Sequence, residues 1–354
     1  MNQSSAAQVS APKLLEINHL KKYFPIEKGL LRRVVGYVKA VDNVSLYINE
    51  GETFGLVGES GSGKTTLGRC IVRAISPTEG EIKFRIDDEQ VVDLASLSQK
   101  QLRSVRRYMH MIFQDPYSSL NPRMTVRDII AEPLRYNGLA NGQEINERVK
   151  ELIQLVGLEV RHLKRYPHAF SGGQRQRIGI ARSLAINPRL IVCDEAVSAL
   201  DVSIQAQILN LLLDLQEHFK LTYLFIAHDL SVVKHISHRI GVMYVGKLVE
   251  MTDTDRLFAH PRHPYTEALL SAVPKTDPTL KMERIVLSGE VANPANPPAG
   301  CYFHPRCRYA REICRQEEPI WEEISPGHFV SCHLAHNLEL RGVEEKQQFR
   351  RDAL

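Results

Sequence analysis

Thr53-Phe54-Gly55-Leu56-Val57 runs directly into Gly58-Glu59-Ser60-Gly61-Ser62-Gly63-Lys64-Thr65, and this junction decides the fold. The apolar run reads as a buried strand, and a helix is expected to open near Lys64. Glycines let successive backbone N–H groups turn inward around a β-phosphate. Lys64 adds positive charge at the β and γ oxygens, and Thr65, with Thr66 beside it, can hold Mg²⁺ through its hydroxyl. By itself the loop says only that a nucleoside triphosphate is bound.

Arg189-Leu190-Ile191-Val192-Cys193-Asp194-Glu195 supplies a second strand, with two carboxylates at its C-terminal end, where open α/β sheets place their ligands. Asp194 is expected to hold Mg²⁺ through water and Glu195 to polarise the attacking water. Phe170-Ser171-Gly172-Gly173-Gln174 opens a further helix, where backbone N–H groups and a hydroxyl can face a γ-phosphate. Gln114 ends the apolar run 109–113, and His228 follows the apolar strand 223–227.

These motifs, in this order, resemble the ATPase subunit of an ABC transporter. The resemblance implies an α/β P-loop NTPase: a RecA-like core with an antiparallel β subdomain and a helical ABC subdomain, here with a small Cys-containing C-terminal extension. It further implies that Ser171 to Gln174 face the phosphate loop of another subunit, so that two ATP molecules are sandwiched between two chains. Asp201, in Ser198-Ala199-Leu200-Asp201, looks like part of the loop joining the two sites. His228 looks like the switch histidine on the γ-phosphate, and Gln114 like the sensor of Mg²⁺ and the attacking water. Phe24 is the candidate for stacking on adenine, with Tyr23 as the alternative; either could equally be a core aromatic. Ala196 stands where the family usually has proline.

The whole chain has 354 residues, 43% hydrophobic and 24% charged, with a formal charge of +4. That is ordinary for a globular protein, and no strongly basic stripe argues for nucleic acid. The polar start has no signal-peptide core, and no apolar run approaches the about 18 residues of a membrane span. A cytoplasmic protein is expected, meeting the membrane through partners. Residues 1–13 read as a disordered tail, 14–262 as the ATPase domain with its helical subdomain at about 117–187, 263–335 as the extension and 336–354 as a polar tail. Gly157 is expected to cap a helix running from about Val149 to Val156. One phosphate loop means one ATPase domain.

Two segments narrow the resemblance: 113–123 around Gln114, and His263-Pro264-Tyr265-Thr266-Glu267-Ala268-Leu269-Leu270. With 199–207 they resemble the second of the two ATPase subunits of an oligopeptide or dipeptide importer, across roughly residues 14–335. The partners implied are a second, non-identical ATPase subunit, two permeases, and a periplasmic or surface peptide-binding protein, at the cytoplasmic face of a bacterial inner membrane. An importer of nickel, glutathione or another small solute is the alternative cargo reading. A soluble ABC protein acting on ribosomes or DNA would usually carry two ATPase domains or a coiled-coil insertion, and this chain has neither.

Four of the six cysteines, Cys301, Cys307, Cys314 and Cys332, fall in the extension. Disulfides are disfavoured in a reducing compartment, so clustered thiols point to a metal, yet the spacing does not match paired C-x₂-C zinc ribbons. Some relatives with this arrangement carry a 4Fe–4S cluster, which Cys₄ ligation suits; structural zinc and free thiols are the alternatives. Cys70 and Cys193 read as core residues.

Overall fold

The computed structural model describes residues 12–29, 32–115, 117–139, 141–273 and 284–343. The expected N-terminal tail lies outside the described residues over 1–11, and the polar C-terminal tail does so over 344–354.

Strands β1 (Lys13–Lys28) and β2 (Arg33–Asn49) form an antiparallel hairpin, and β4 (Glu79–Arg85) and β5 (Val91–Asp93) complete a four-stranded sheet ordered β2-β1-β4-β5, after β3 (Thr53–Val57) has left for the core. Val44, Leu46 and Ile48 of β2 are buried at every second position, the period of a strand with one face on the core. A second sheet takes β6 (Met109–Ile112), β7 (Leu190–Asp194), β8 (Thr222–Ile226), β9 (Arg239–Tyr244), β10 (Lys247–Asp253), β11 (Glu322–Ser325) and β12 (His328–Val330), in the order β11-β12-β10-β9-β3-β8-β7-β6. Here β3 runs parallel to β8 and β9, and β7 runs parallel to β6 and β8. Every residue of β3, β7 and β8 is buried, which explains their continuous apolar reading: a parallel sheet is covered on both faces.

Helix α1 (Lys64–Ile71) carries Leu67, Cys70 and Ile71 into an apolar cluster shared by both sheets, with Leu15, Val41, Leu56 and Leu224. Helix α2 (Gln99–Val105) follows, starting at a Ser98 cap. The segment between β6 and β7 holds α3 (Val126–Asn137), α4 (Gly142–Leu155) and α5 (Gly172–Leu184). Thr125 caps α3 and Asn141 caps α4 in a reciprocal box with Glu144, each cap contributing about 1 kcal/mol. Just past α4, Gly157 sits at φ +73° and donates its N–H to the Gln154 carbonyl, closing the helix with the left-handed turn glycine makes readily.

Three further helices, α6 (Val202–Phe219), α7 (Leu230–Ile236) and α8 (Thr254–Ala259), cover the sheet. The C-terminal residues then begin with α9 (Pro264–Leu270) and include α10 (Glu312–Gln316). They are joined to the core directly: β12 pairs with β10 through Glu250↔Val330 and Met251↔Phe329, so the extension lengthens the ATPase sheet. A second junction is the ring cluster Tyr244, Tyr265 and Phe303, whose centroids lie 4.8–5.3 Å apart. Among the described residues no helix is long and apolar enough to cross a membrane.

Candidate functional site

The site forms at the C-terminal ends of β3, β7 and β8. Between β3 and α1 the loop 58–63 is wrapped so closely that a Cβ on Gly58 would stand 2.1 Å from the Met243 carbonyl oxygen, and one on Gly63 2.1 Å from that of Ala40. Both glycines also have positive φ, so any other residue there would meet backbone and strain together. Ser62 is buried, and Lys64 is only 4% exposed. The Lys64 ammonium donates to the carbonyls of Gly58 (2.7 Å) and Glu59 (2.9 Å) and to Ser62 Oγ (3.3 Å). Burial lowers its pKa from the usual lysine value, while Glu195, Asp194 and Glu59 act in the opposite sense. The first turn of α1 carries no acidic side chain and its start no side-chain cap, an arrangement that suits an anion at the helix N-terminus.

Opposite the loop, Asp194 closes β7 and is buried, and its Oδ1 accepts a 2.8 Å hydrogen bond from Thr65 Oγ1. Burial raises the Asp194 pKa against the pull of Thr65, Arg69 and Lys64. Glu195 follows at φ +48°, a left-handed conformation held by its N–H donating to the Ile226 carbonyl of β8. Such backbone strain in a non-glycine residue persists only where surrounding structure enforces it. The turn aims the carboxylate at two distant segments: Gln114 Nε2 donates to Glu195 Oε2 at 2.8 Å, and His228 Nδ1 lies 3.4 Å from the same oxygen. Residues 114, 195 and 228 therefore meet at one atom. Ala196, the next residue along the chain, is buried.

Ser171 caps α5 in a reciprocal box with Gln174. The space beside Gly172 and Gly173 is bounded by Leu200 and Ile204, so this motif and the Asp201 loop are neighbours. Asp201 in turn caps α6 by accepting the Ile204 N–H at 2.9 Å. Its carboxyl is held below the usual aspartate range by that bond and by Ser203.

Phe24 and Tyr23 differ in freedom. The Tyr23 hydroxyl donates to Asp42 Oδ1, and Asp42 also accepts from Tyr302 of the extension. The Phe24 ring is 36% exposed with Lys22 Nζ 4.9 Å from its centroid. Phe24 pairs in register with Val38, two residues before Ala40, whose carbonyl abuts Gly63.

In the extension, Cys314 is buried and Cys301, Cys307 and Cys332 are partly buried. Burial pushes the Cys301 thiol up to about 11 and that of Cys332 to about 12; the proximity of Cys307 and Cys314 adds to both rises, and that of Cys301 to the second. Backbone N–H groups of Phe303 and His304 serve Cys301, that of Tyr309 serves Cys307, and that of Leu334 serves Cys332. Among the described residues, no group of three or more His, Cys, Asp or Glu is placed to hold a metal ion. Cys70 and Cys193 are fully buried.

Two contacts to the loop were not legible in the motifs. Tyr265 Oη accepts the Glu59 N–H at 2.8 Å, and Arg306 pairs in a fork with the Glu59 carboxylate. The only available signal was Tyr265 itself, inside the segment 263–270 that served to narrow the resemblance.

The family described as ABC transporter matches residues 41–198, and the oligopeptide/dipeptide transporter C-terminal region matches 249–314. The chain is 56% identical to the oligopeptide transport ATP-binding protein AppF of Bacillus subtilis, across 91% of its own length and 97% of that protein's. It is 49% identical to a probable peptide ABC transporter ATP-binding protein of Sinorhizobium fredii, across 91% and 90%. Among solved structures it is similar to a dimeric ATP-binding cassette in a post-hydrolysis state with ADP and Pi, at TM-score 0.59 and 30% identity, covering 68% of this chain and 98% of that one. A phosphate loop, a strand-end carboxylate pair and relatives matched along nine-tenths of the chain thus lead to one assignment: this protein belongs to the ABC transporter family, as an ATP-hydrolysing cassette with the oligopeptide/dipeptide transporter C-terminal region.

Proposed function

We propose that the chain hydrolyses ATP to energise import of oligopeptides or dipeptides across a bacterial inner membrane, from its cytoplasmic face. The observation that carries the cargo class is the C-terminal region at 249–314, described by the oligopeptide/dipeptide transporter family and shared along their length with relatives named for peptide transport. In this reading the loop N–H groups and Lys64 bind the β and γ phosphates. Glu195 polarises the attacking water, with Gln114 and His228 orienting it from the same carboxylate oxygen. Thr65, Asp194 and Gln114 are hard oxygen donors that suit Mg²⁺, which when bound would neutralise charge on the transferring phosphoryl group. Phe24, part-exposed with Lys22 over one face of its ring, supplies the aromatic surface for adenine. Ser171 to Gln174 and Asp201 serve the site of a second, non-identical ATPase subunit, and two permeases and a peptide-binding protein complete the assembly. Residues 14–262 act as the ATPase domain and 263–335 as its extension.

The test is reconstitution in proteoliposomes with two permease subunits, a second ATPase subunit and a peptide-binding protein from the same organism. ATP-dependent uptake of labelled di- or oligopeptide is expected, and uptake of nickel or glutathione alone would overturn the peptide reading.

For the extension, the proposal is a structural 4Fe–4S cluster held by Cys301, Cys307, Cys314 and Cys332. Support comes from the gathering of four buried or partly buried thiols in one extension; among the described residues they form no ready-made metal group, so binding the cluster would have to draw the sulfurs together. Protein purified without oxygen should be brown, with about four irons per chain by Cys₄ stoichiometry. Cys307→Ser should remove the colour while ATP binding persists. Zinc in protein made with ample iron would establish the alternative.

A further inference from the structure

Glu59 is the second residue of the phosphate loop, and its polar groups are engaged from several sides. Its carbonyl accepts from Ser62 N (3.2 Å) and from Lys64 Nζ (2.9 Å), its N–H donates to Tyr265 Oη (2.8 Å), and its carboxylate receives Arg306 Nη1 (2.7 Å) and Nη2 (3.1 Å). Tyr265 is fully buried, and the Arg306 side chain is 8% exposed. Exposed ion pairs contribute little, but a bidentate guanidinium–carboxylate fork with one partner out of water is both stronger and more directional. The fork is anchored from behind, because Arg306 lies three residues after Phe303, which packs at 5.2 Å from Tyr244 and 5.3 Å from Tyr265.

We propose that Arg306 and Tyr265, which lie outside the nucleotide motifs, are positioning residues for ATP binding: together they hold Glu59, and through it the loop that carries Lys64, in the shape that receives phosphate. This deepens the ATPase reading and rests on it. Two effects combine. The clamp orders the loop before ATP arrives, so the ordering cost does not fall on binding. Arg306 also neutralises a carboxylate that would otherwise face a polyphosphate of the same sign. The second effect gives the proposal an asymmetric signature. Arg306→Gln leaves the Glu59 charge bare, whereas Arg306→Gln combined with Glu59→Gln removes it, so the double variant should bind ATP better than the Arg306 variant alone. A contact that only stabilises the fold has no reason to behave in this way.

The experiment is mant-ATP titration of the full-length chain, with thermal unfolding in the absence of nucleotide. Arg306→Gln should weaken mant-ATP binding about ten-fold, with the loss reduced to about three-fold in the double variant. Tyr265→Phe keeps the ring and removes only the hydroxyl; about three-fold weaker binding is expected with the nucleotide-free unfolding temperature unchanged. In the assembled transporter Arg306→Gln should raise KM for ATP while kcat stays within about two-fold, the pattern of lost ground-state binding. Wild-type affinity in Arg306→Gln, or a double variant no better than the single one, would overturn the proposal. Lys64→Ala is the control: if it binds mant-ATP as the wild type does, the nucleotide reading fails and the proposal fails with it.

Discussion

At the scale of single residues, the distinction that matters is between groups that bind and groups that react. Glu195 sits at φ +48° with its carboxylate shared between Gln114 and His228, while Lys64 and Thr65 open α1, after the phosphate loop. Glu195→Gln should therefore lower steady-state hydrolysis by about 10²–10⁴-fold, the range general-base catalysis contributes, and leave ATP binding intact. Lys64→Ala should instead weaken binding itself. Phosphate release and mant-ATP titration on the two variants separate these outcomes, and near-normal turnover by Glu195→Gln would remove it as the base. The identities of these residues were legible because their chemistry is tied to strand ends and glycine turns. What the spacing did not show is that residues 81 and 33 positions from Glu195 converge on a single carboxylate oxygen.

Elements bring a different set of forces. The extension is held by the β10–β12 pairing and by Phe303 wedged against Tyr244 and Tyr265. Phe303 is 2% exposed, so Phe303→Ala should destabilise the protein by about 3–5 kcal/mol, as urea unfolding would measure. A pH dependence follows from His263, which caps α9 by accepting the Tyr265 N–H at Nδ1 and whose pKa burial lowers from 6.5 to about 3. The unfolded chain takes up a proton near 6.5 and the folded chain does not. Its contribution is thus fully present above pH 6.5 and is lost progressively as pH falls from 6.5 toward 3. His110, lowered by burial from 6.5 to about 4, acts in the same direction. His263→Asn keeps a capping acceptor without the titration, so its stability should fall less steeply between pH 6.5 and 5, by up to about 1.4 kcal/mol per pH unit. Equal slopes for the variant and the wild type, in unfolding free energy against pH, would show that His263 does not govern the decline.

For the whole molecule, the N-terminus of α5 and the Asp201 loop form one neighbourhood, and the phosphate loop with Asp194 and Glu195 forms another. If the working unit pairs this chain with a non-identical ATPase, changing Ser171 should damage hydrolysis at the partner's phosphate loop and spare ATP binding at Lys64. Subunit-labelled transporter decides the composition, and two copies of this chain with no second ATPase would sink the heterodimer. The sequence by itself determined the nucleotide chemistry, the parallel core and the helical insertion. Each rests on local signals: a glycine turn after an apolar strand, carboxylates at a strand end, a helical pattern closed by Gly157. Only the tertiary structure decided where the extension goes. Read along the chain it has few apolar runs and looked like a separate appendage. In space β12 completes an open edge of the ATPase sheet, and Tyr265 and Arg306 reach the phosphate loop across 206 and 247 residues of chain. Pairing at a sheet edge is made by backbone groups, and a salt bridge needs only two long side chains of opposite sign. Neither leaves a periodic pattern in sequence, so both became visible only once the strands were side by side.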